Sequence, residues 1–201
     1  RSRGLGDVYK RQTTVRLYQI LYALLKSNLF PKQLNSDNLN FPSDLYVIDG
    51  LTNEFNLNRV NLINYNQEIF ADLNHLKKNI QNRQGIYCLS LVTYKSSFLY
   101  PMKELNLWAK KNNSIIIWDL SHAIGSVEID LIESQSKIAV GCSYKYMNGG
   151  PGSPAFMFIE KELQNQLNNP IQGWFGHKNP FDFEPSYKPN SSINKFSSGT
   201  I

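Results

Sequence analysis

The sequence is poor in the residues that build disulfide frameworks and metal centres. Its 201 residues include two cysteines, Cys88 and Cys142, and three histidines. The cysteines lie in separate predicted strands without a CxxC motif, so we interpret both as buried thiols in a reducing compartment, the cytoplasm. The histidines, at positions 75, 122 and 177, have no spacing typical of metal ligands, and we expect no metal site.

Other signals are also absent. No apolar run approaches the roughly 18 residues of a membrane span, and no Walker loop, GxGxxG or GxSxG motif occurs. Hydrophobic residues make up 41% of the chain and charged residues 18%, which is typical of a globular domain and excludes a disordered chain.

The basic balance of the chain is concentrated at its start. The formal charge is +5, from 21 Lys and Arg against 16 Asp and Glu, with a pI near 9.1. Residues 1–12 (RSRGLGDVYKRQ) hold four of the basic residues and one acidic residue, so the remainder carries +2. DVYKRQ matches the translation of a sequencing-adapter end. We interpret 1–12 as an artefact of that kind, with a basic arm as the alternative, and expect no nucleic-acid partner.

The rest, 13–201, is predicted to be one α/β domain. A helix is predicted over Thr14–Ser27, followed by a loop with the polar run Asn35–Asn40. Further segments alternate between strand and helix, which favours a mainly parallel sheet flanked by helices. The predicted strands are Leu45–Ile48, Val60–Ile63, Ile86–Val92, Ser114–Leu120, Ile138–Ser143 and Ala155–Ile159. The predicted helices after the first are a brief one around Thr52–Asn56, then 67–80, 101–113 and 160–168.

Three residues around the predicted carboxyl ends of these strands carry the chemistry. Asp119 ends the most apolar strand, His122 follows it, and Lys145 stands between a strand and the turn Gly149-Gly150-Pro151-Gly152. Taken singly, Asp119 is an ordinary helix cap and Lys145 an ordinary loop lysine. Together they match the needs of pyridoxal phosphate (PLP), in which a lysine amine forms a Schiff base and a carboxylate holds the pyridine nitrogen protonated.

Three segments extend this match to a family. WDLSHAIGSVEIDL, GCSYKYMNGGPGSPAFMF and GWFGHKNPFDFEP resemble kynureninase, a PLP enzyme of the aspartate aminotransferase fold. The resemblance runs from Thr13 to the last residue. It implies hydrolysis of L-kynurenine, and of 3-hydroxykynurenine as a second candidate, to anthranilate or its 3-hydroxy form and L-alanine. This reaction belongs to tryptophan catabolism and NAD biosynthesis.

The resemblance also implies roles for individual residues. Lys145 would form the Schiff base and later remove the α-proton, Asp119 would pair with the pyridinium nitrogen, and Tyr144 would contact the phosphate and transfer a proton. His122 would lie beside the cofactor ring. The other cofactor-binding positions implied are Thr13, Thr14, Phe41, Pro42, Ser43, Asp44, Ser90, Trp174 and Thr200.

These positions have physical reasons of their own. Thr13 and Thr14 start a helix, whose free N–H groups attract a phosphate, and Phe41 offers an apolar platform for a flat ring, with a core aromatic as the alternative. For Trp174 and Thr200 the resemblance alone implies that they reach the phosphate across a dimer interface, and with it a homodimer. His177 is interpreted as structural.

The match is incomplete in three respects. Arg16 stands where the family usually has Asn, and Leu91 where bacterial members often have His. Family members are longer, so we expect an amino-terminal segment and a carboxyl-terminal small domain, with the arginine for the substrate carboxylate, outside this sequence. Two rival functions stay open: another PLP enzyme of the same fold (a cysteine desulfurase, β-lyase or aminotransferase), and a basic nucleic-acid-binding module.

Overall fold

The computed structural model describes residues 12–199, and these form one six-stranded sheet covered by helices on both faces. The strands are β1 (Leu34–Asp37), β2 (Asn61–Ile63), β3 (Ile86–Ser90), β4 (Ile115–Asp119), β5 (Ile138–Cys142) and β6 (Ala155–Ile159). The helices are α1 (Thr13–Ser27), α2 (Pro42–Glu54), α3 (Leu73–Asn82), α4 (Met102–Lys111) and the short α5 (Lys161–Gln164). Three 3-10 turns follow, at Trp174–Gly176, Pro180–Asp182 and Ile193–Phe196.

The strand order is β2-β1-β3-β4-β5-β6, and every neighbouring pair is parallel except β5 and β6. The strands β3, β4 and β5 are buried along their whole length, as their continuous apolar runs predict. The predicted mainly parallel α/β sheet is therefore confirmed.

Alternating strand residues feed two separate cores. On one face, Cys88, Ile117 and Val140 pack against α1 and α2. On the other face, Leu89 and Trp118 pack against the helix layer of α3 and α4. The sheet is thus the middle layer of a three-layer sandwich, and its helices leave the carboxyl edge of the strands free to build a site.

The segment 34–54 differs from the sequence-based prediction. The predicted loop contains β1, and the predicted strand Leu45–Ile48 lies inside α2. The prediction failed at β1 because its sequence, LNSD, is polar although fully buried. Ser36 Oγ donates to the Cys88 carbonyl at 2.8 Å, which satisfies a polar group in the sheet interior. In α2 the buried residues are Asp44, Ile48, Leu51 and Thr52, which is helical spacing.

Three helices are shorter than predicted. The helix predicted over 67–80 begins at Leu73, because Asp72 caps it by accepting from the Asn74 and His75 N–H groups. The helix predicted over 101–113 begins at Met102, so Pro101 precedes the helix and is not its first residue. The helix predicted over 160–168 ends at Gln164. Among the described residues, no helix is long and apolar enough to cross a membrane.

Candidate active site

The carboxyl ends of the central strands bring the predicted acidic group and the predicted lysine together. Asp119 is the last residue of β4 and pairs in register with Ser90, the last residue of β3. Lys145 follows β5, the neighbouring strand on the other side, by three residues. Because parallel strands end at a common edge, the fold places these three residues at one crevice.

Asp119 is a buried carboxyl whose surroundings shift its pKa in opposite directions. One oxygen accepts the Ser121 N–H at 2.8 Å. Burial raises the pKa of Asp119, while the Ser121 donors and the Lys145 charge favour its ionised form. Asp44, in the first turn of α2, interacts with it. Burial and the Asp119 charge raise the pKa of Asp44 well above its usual range. We therefore expect any proton on this pair to reside on Asp44.

The short-range contacts of the Lys145 amine within the described residues are with rings. Its Nζ lies 2.9 Å from His122 Nε2, 5.1 Å from the centroid of the Phe41 ring and 5.6 Å from that of the Tyr144 ring. It forms no ion pair with a carboxylate of residues 12–199. Burial and the Lys145 charge lower the pKa of His122 to about 4, so its imidazole is neutral and can accept a hydrogen bond from the amine.

Asn40 is a site residue that the sequence analysis missed. Its side-chain oxygen accepts from Ser90 Oγ at 2.6 Å and from the Phe41 N–H at 2.8 Å. Its side-chain nitrogen donates to Ser36 Oγ and to the Cys88 carbonyl, both at 3.1 Å. This buried amide therefore fixes the backbone that carries Phe41. The signal was hidden, because Asn40 closes a polar run that predicted a loop.

Tyr94 is a second residue that the sequence analysis missed. Its ring packs edge-on against Phe41, with centroids 5.2 Å apart, and lies 6.4 Å from the His122 ring. It follows β3 by four residues, in a loop that sequence patterns did not single out. The structure thus adds a third ring to the predicted pair of Phe41 and His122.

The predicted phosphate-binding residues lie at a helix start. Thr13 and Thr14 open α1, and the preceding Gln12 makes no side-chain capping hydrogen bond. The Val15 N–H donates to the Gln12 carbonyl at 3.0 Å, so the N–H groups that an anion can use are those of Thr13 and Thr14. Pro42 and Ser43 occupy the first turn of α2, which starts directly after Phe41.

Two predicted residues remain, Trp174 and Thr200. Trp174 makes ring contacts with Phe175, Phe181 and Phe183. Thr200 lies outside the described residues. Within residues 12–199 no group of three or more His, Cys, Asp or Glu could hold a metal ion.

His177 and the two cysteines lie in the interior. His177 is buried beside the Tyr187 ring, and its Nδ1 accepts from the Asn179 N–H at 3.1 Å. Cys88 and Cys142 are free buried thiols.

Curated relatives align along almost the whole chain. The kynureninase of Burkholderia pseudomallei strain K96243 is 32% identical over 200 residues, which is 97% of this chain and 47% of that protein. The chain is homologous to the kynureninases. It spans about half the length of the curated kynureninases that it matches. No protein-family profile matches it.

Solved structures similar to this chain share its fold at low sequence identity. A cysteine desulfurase from Thermococcus onnurineus NA1 superposes with a TM-score of 0.73 at 18% identity, over 94% of this chain and 46% of the other. A C-DES variant with glycine covalently linked to its PLP cofactor gives 0.80 at 12% identity, over 98% and 54%. The expected aspartate aminotransferase-like fold is therefore confirmed.

Proposed function

We propose that this chain forms the PLP-binding part of an enzyme that hydrolyses L-kynurenine to anthranilate and L-alanine. The observation that carries the proposal is the alignment with kynureninases at 32% identity over 97% of the chain. It is supported by the Lys145 amine, which lies among rings near a buried carboxyl.

The residues present fit PLP on structural grounds. The cofactor is a flat pyridine ring whose protonated nitrogen is cationic and which carries an anionic phosphate, and the crevice offers a ring platform in Phe41, a carboxyl in Asp119 and an amine in Lys145. His122 Nδ1 is buried and has no hydrogen-bond partner in residues 12–199, so a polar group is still missing beside it. The N–H groups of Thr13 and Thr14, at the start of α1, supply donors for a phosphate.

Each residue would have a distinct task. When bound, PLP supplies an electron sink that makes the α-proton of an amino acid acidic. Asp119 would hold the ring nitrogen protonated, and Lys145 would hold the cofactor and carry a proton to and from the substrate. Burial raises the pKa of Tyr144, so its phenol keeps its proton at neutral pH and can donate it.

A homodimer is part of the proposal. Phe181 and Phe183 are 72% and 73% exposed and flank Trp174, so this aromatic surface is a candidate for the interface. Light scattering of the full-length protein, compared with a Phe181→Ser, Phe183→Ser double variant, tests this. A wild-type dimer that the double variant weakens supports the interface, and a wild-type monomer contradicts the homodimer.

A second PLP reaction is a specific alternative, because the solved structures similar in fold include cysteine desulfurases. The full-length protein should therefore be incubated with kynurenine and, separately, with cysteine, and its products identified. Anthranilate and alanine in equal amounts support the first function. Sulfide, alanine from cysteine or a keto acid without anthranilate supports the alternative.

Two variants make the assay specific to this site. Lys145→Ala should abolish anthranilate formation. The matched control, Lys103→Ala, removes an exposed lysine that pairs with Glu133 and should keep wild-type activity. Activity retained by Lys145→Ala would overturn the assignment of the lysine.

A further inference from the structure

Tyr94 closes a three-ring cluster around the Lys145 amine. Its ring is 5.2 Å from Phe41 at an interplanar angle of 85° and 6.4 Å from His122 at 36°. Phe41 and His122 are themselves 6.0 Å apart. Each ring therefore contacts the other two, and two of the three also contact the amine. We call Phe41, Tyr94 and His122 the ring cluster.

The backbone that carries Tyr94 is firmly attached to the sheet. The Leu91 N–H donates to the Asp119 carbonyl at 2.9 Å, and the Tyr100 N–H donates to the Leu91 carbonyl at 3.0 Å. Between them, Val92 and Leu99 form an antiparallel bridge, so the segment turns back on itself as a tight loop. These contacts attach the loop that carries Tyr94 to the end of β4, where Asp119 lies.

A lysine also restrains the Tyr94 ring. The Lys95 ammonium lies 5.7 Å from the centroid of the Tyr94 ring and forms an ion pair with Glu68. A cation over its face and an edge-on contact with Phe41 leave the ring little freedom to rotate. The described ring contacts of Phe41 are those with Tyr94 and His122. Within the described residues, no further aromatic ring restrains Phe41.

From these contacts we infer that Tyr94 is a positioning residue for the cofactor ring. It holds Phe41 and His122 at fixed angles beside the Lys145 amine, and it acts through its ring and not through its hydroxyl. The inference rests on the proposed function, because it assigns Phe41 and His122 the task of holding PLP. It predicts that removing the Tyr94 ring weakens cofactor binding while Lys145 stays able to bind covalently.

The test measures the PLP dissociation constant of the full-length protein by absorbance titration. Edge-on ring contacts are weak individually, so we expect Tyr94→Leu to raise the dissociation constant about tenfold, and Tyr94→Phe to leave it within about twofold. Borohydride reduction should still attach the cofactor to Lys145 in both variants. Tyr46→Leu, which alters a 74% exposed tyrosine of α2, is the matched control and should have no effect.

Combining variants separates positioning from general loosening. Tyr94→Leu should have little further effect on PLP affinity in a Phe41→Leu background, because its main contact is already lost. Equal effects in both backgrounds, or wild-type affinity of Tyr94→Leu, would overturn the inference. If Tyr94→Leu is unfolded at the assay temperature, Tyr94→Met, which fills similar space without a ring, must show the same tenfold loss.

Failure of the proposed function would look different. Wild-type protein that binds no PLP, or that yields no anthranilate from kynurenine, rejects the proposed function whatever Tyr94 does. Wild-type protein that binds PLP and forms anthranilate, together with a Tyr94→Leu variant of unchanged affinity, rejects only the role of Tyr94.

Discussion

The Nζ atom of Lys145 lies 2.9 Å from Nε2 of His122, within hydrogen-bond distance. Because burial and the Lys145 charge lower the pKa of His122 to about 4, the imidazole is neutral above that pH. Its Nε2 then accepts from the lysine ammonium, and its Nδ1 carries the proton. A neutral imidazole orients the amine without pairing its charge. An aspartate or glutamate in this place would form an ion pair with it.

The two buried carboxyls of the site should respond differently to the same substitution. Asp119→Asn removes the charge that would hold a pyridinium nitrogen, so kcat/KM for anthranilate formation should fall at least about 100-fold. Asp44→Asn should cost less than about fivefold, because burial and Asp119 raise the Asp44 pKa and an amide replaces a neutral carboxyl. Equal losses in both variants would contradict this assignment of the proton.

The loop that carries Lys145 packs so closely against position 125 that this position requires a glycine. Its φ is +83°, and an added Cβ would lie 2.6 Å from the Tyr146 carbonyl oxygen, too close for any side chain. Gly125→Ala should therefore destabilise the protein by about 1–3 kcal/mol and weaken PLP binding. Gly50→Ala, in an open position of α2, should be neutral or stabilising by up to about 1 kcal/mol. Urea unfolding of both variants checks the contrast, and equal stabilities would contradict it.

Asn40 stabilises the connection between β1 and Phe41. Asn40→Ala leaves the Ser90 hydroxyl and the Phe41 N–H without their acceptor, and should lower the free energy of unfolding by about 2–4 kcal/mol. Asn64→Ala, on the exposed surface, should change it by less than about 0.5 kcal/mol. A loss below about 1 kcal/mol for Asn40→Ala would show that the buried network is not needed.

Asp37 makes stability depend on pH. Its pKa is raised to about 6 by burial, although the Tyr100 hydroxyl donates to it at 2.6 Å and opposes the shift. The folded state keeps the proton where the unfolded state loses it, so this contribution to stability is present below about pH 4 and is lost as the pH rises to about 6. The stability difference between wild type and Asp37→Asn should fall by roughly 2–3 kcal/mol over that range.

Urea unfolding at several pH values measures this difference. The His122 titration has the opposite sign, but both proteins carry His122, so it cancels. Tyr100→Phe removes a hydrogen bond that lowers the Asp37 pKa, and should move the upper end of the transition to higher pH. A difference that does not vary between pH 4 and pH 6 would contradict the raised pKa.

The parts of the fold that the sequence predicted are those in which a local pattern coincides with burial. The apolar strand ending in Asp119 and the alternation of strands and helices were correctly predicted. The strand Leu34–Asp37 was missed because its buried polar groups are satisfied by partners up to 63 residues away, such as the Tyr100 hydroxyl that donates to Asp37. Local patterns cannot show such partners.

The same contrast between local patterns and distant partners holds for the candidate site. Asp119, His122 and Lys145 stand out as motifs, and the structure brings His122 and Lys145 into contact. Tyr94 and Asn40 have no motif of their own. Their places follow from the hydrogen bonds of Leu91 to Asp119 and of Asn40 to Ser90, and these appear only when the strands are assembled.

The most direct test is to locate the covalently bound cofactor. The full-length protein should be loaded with PLP, reduced with borohydride, digested and analysed by mass spectrometry, alongside Lys145→Ala and Lys103→Ala. We predict one modified peptide, with the cofactor mass on Lys145, in wild type and Lys103→Ala and none in Lys145→Ala. Modification of another lysine in the wild type, or a modified Lys145→Ala variant, would contradict the central claim that Lys145 holds the cofactor.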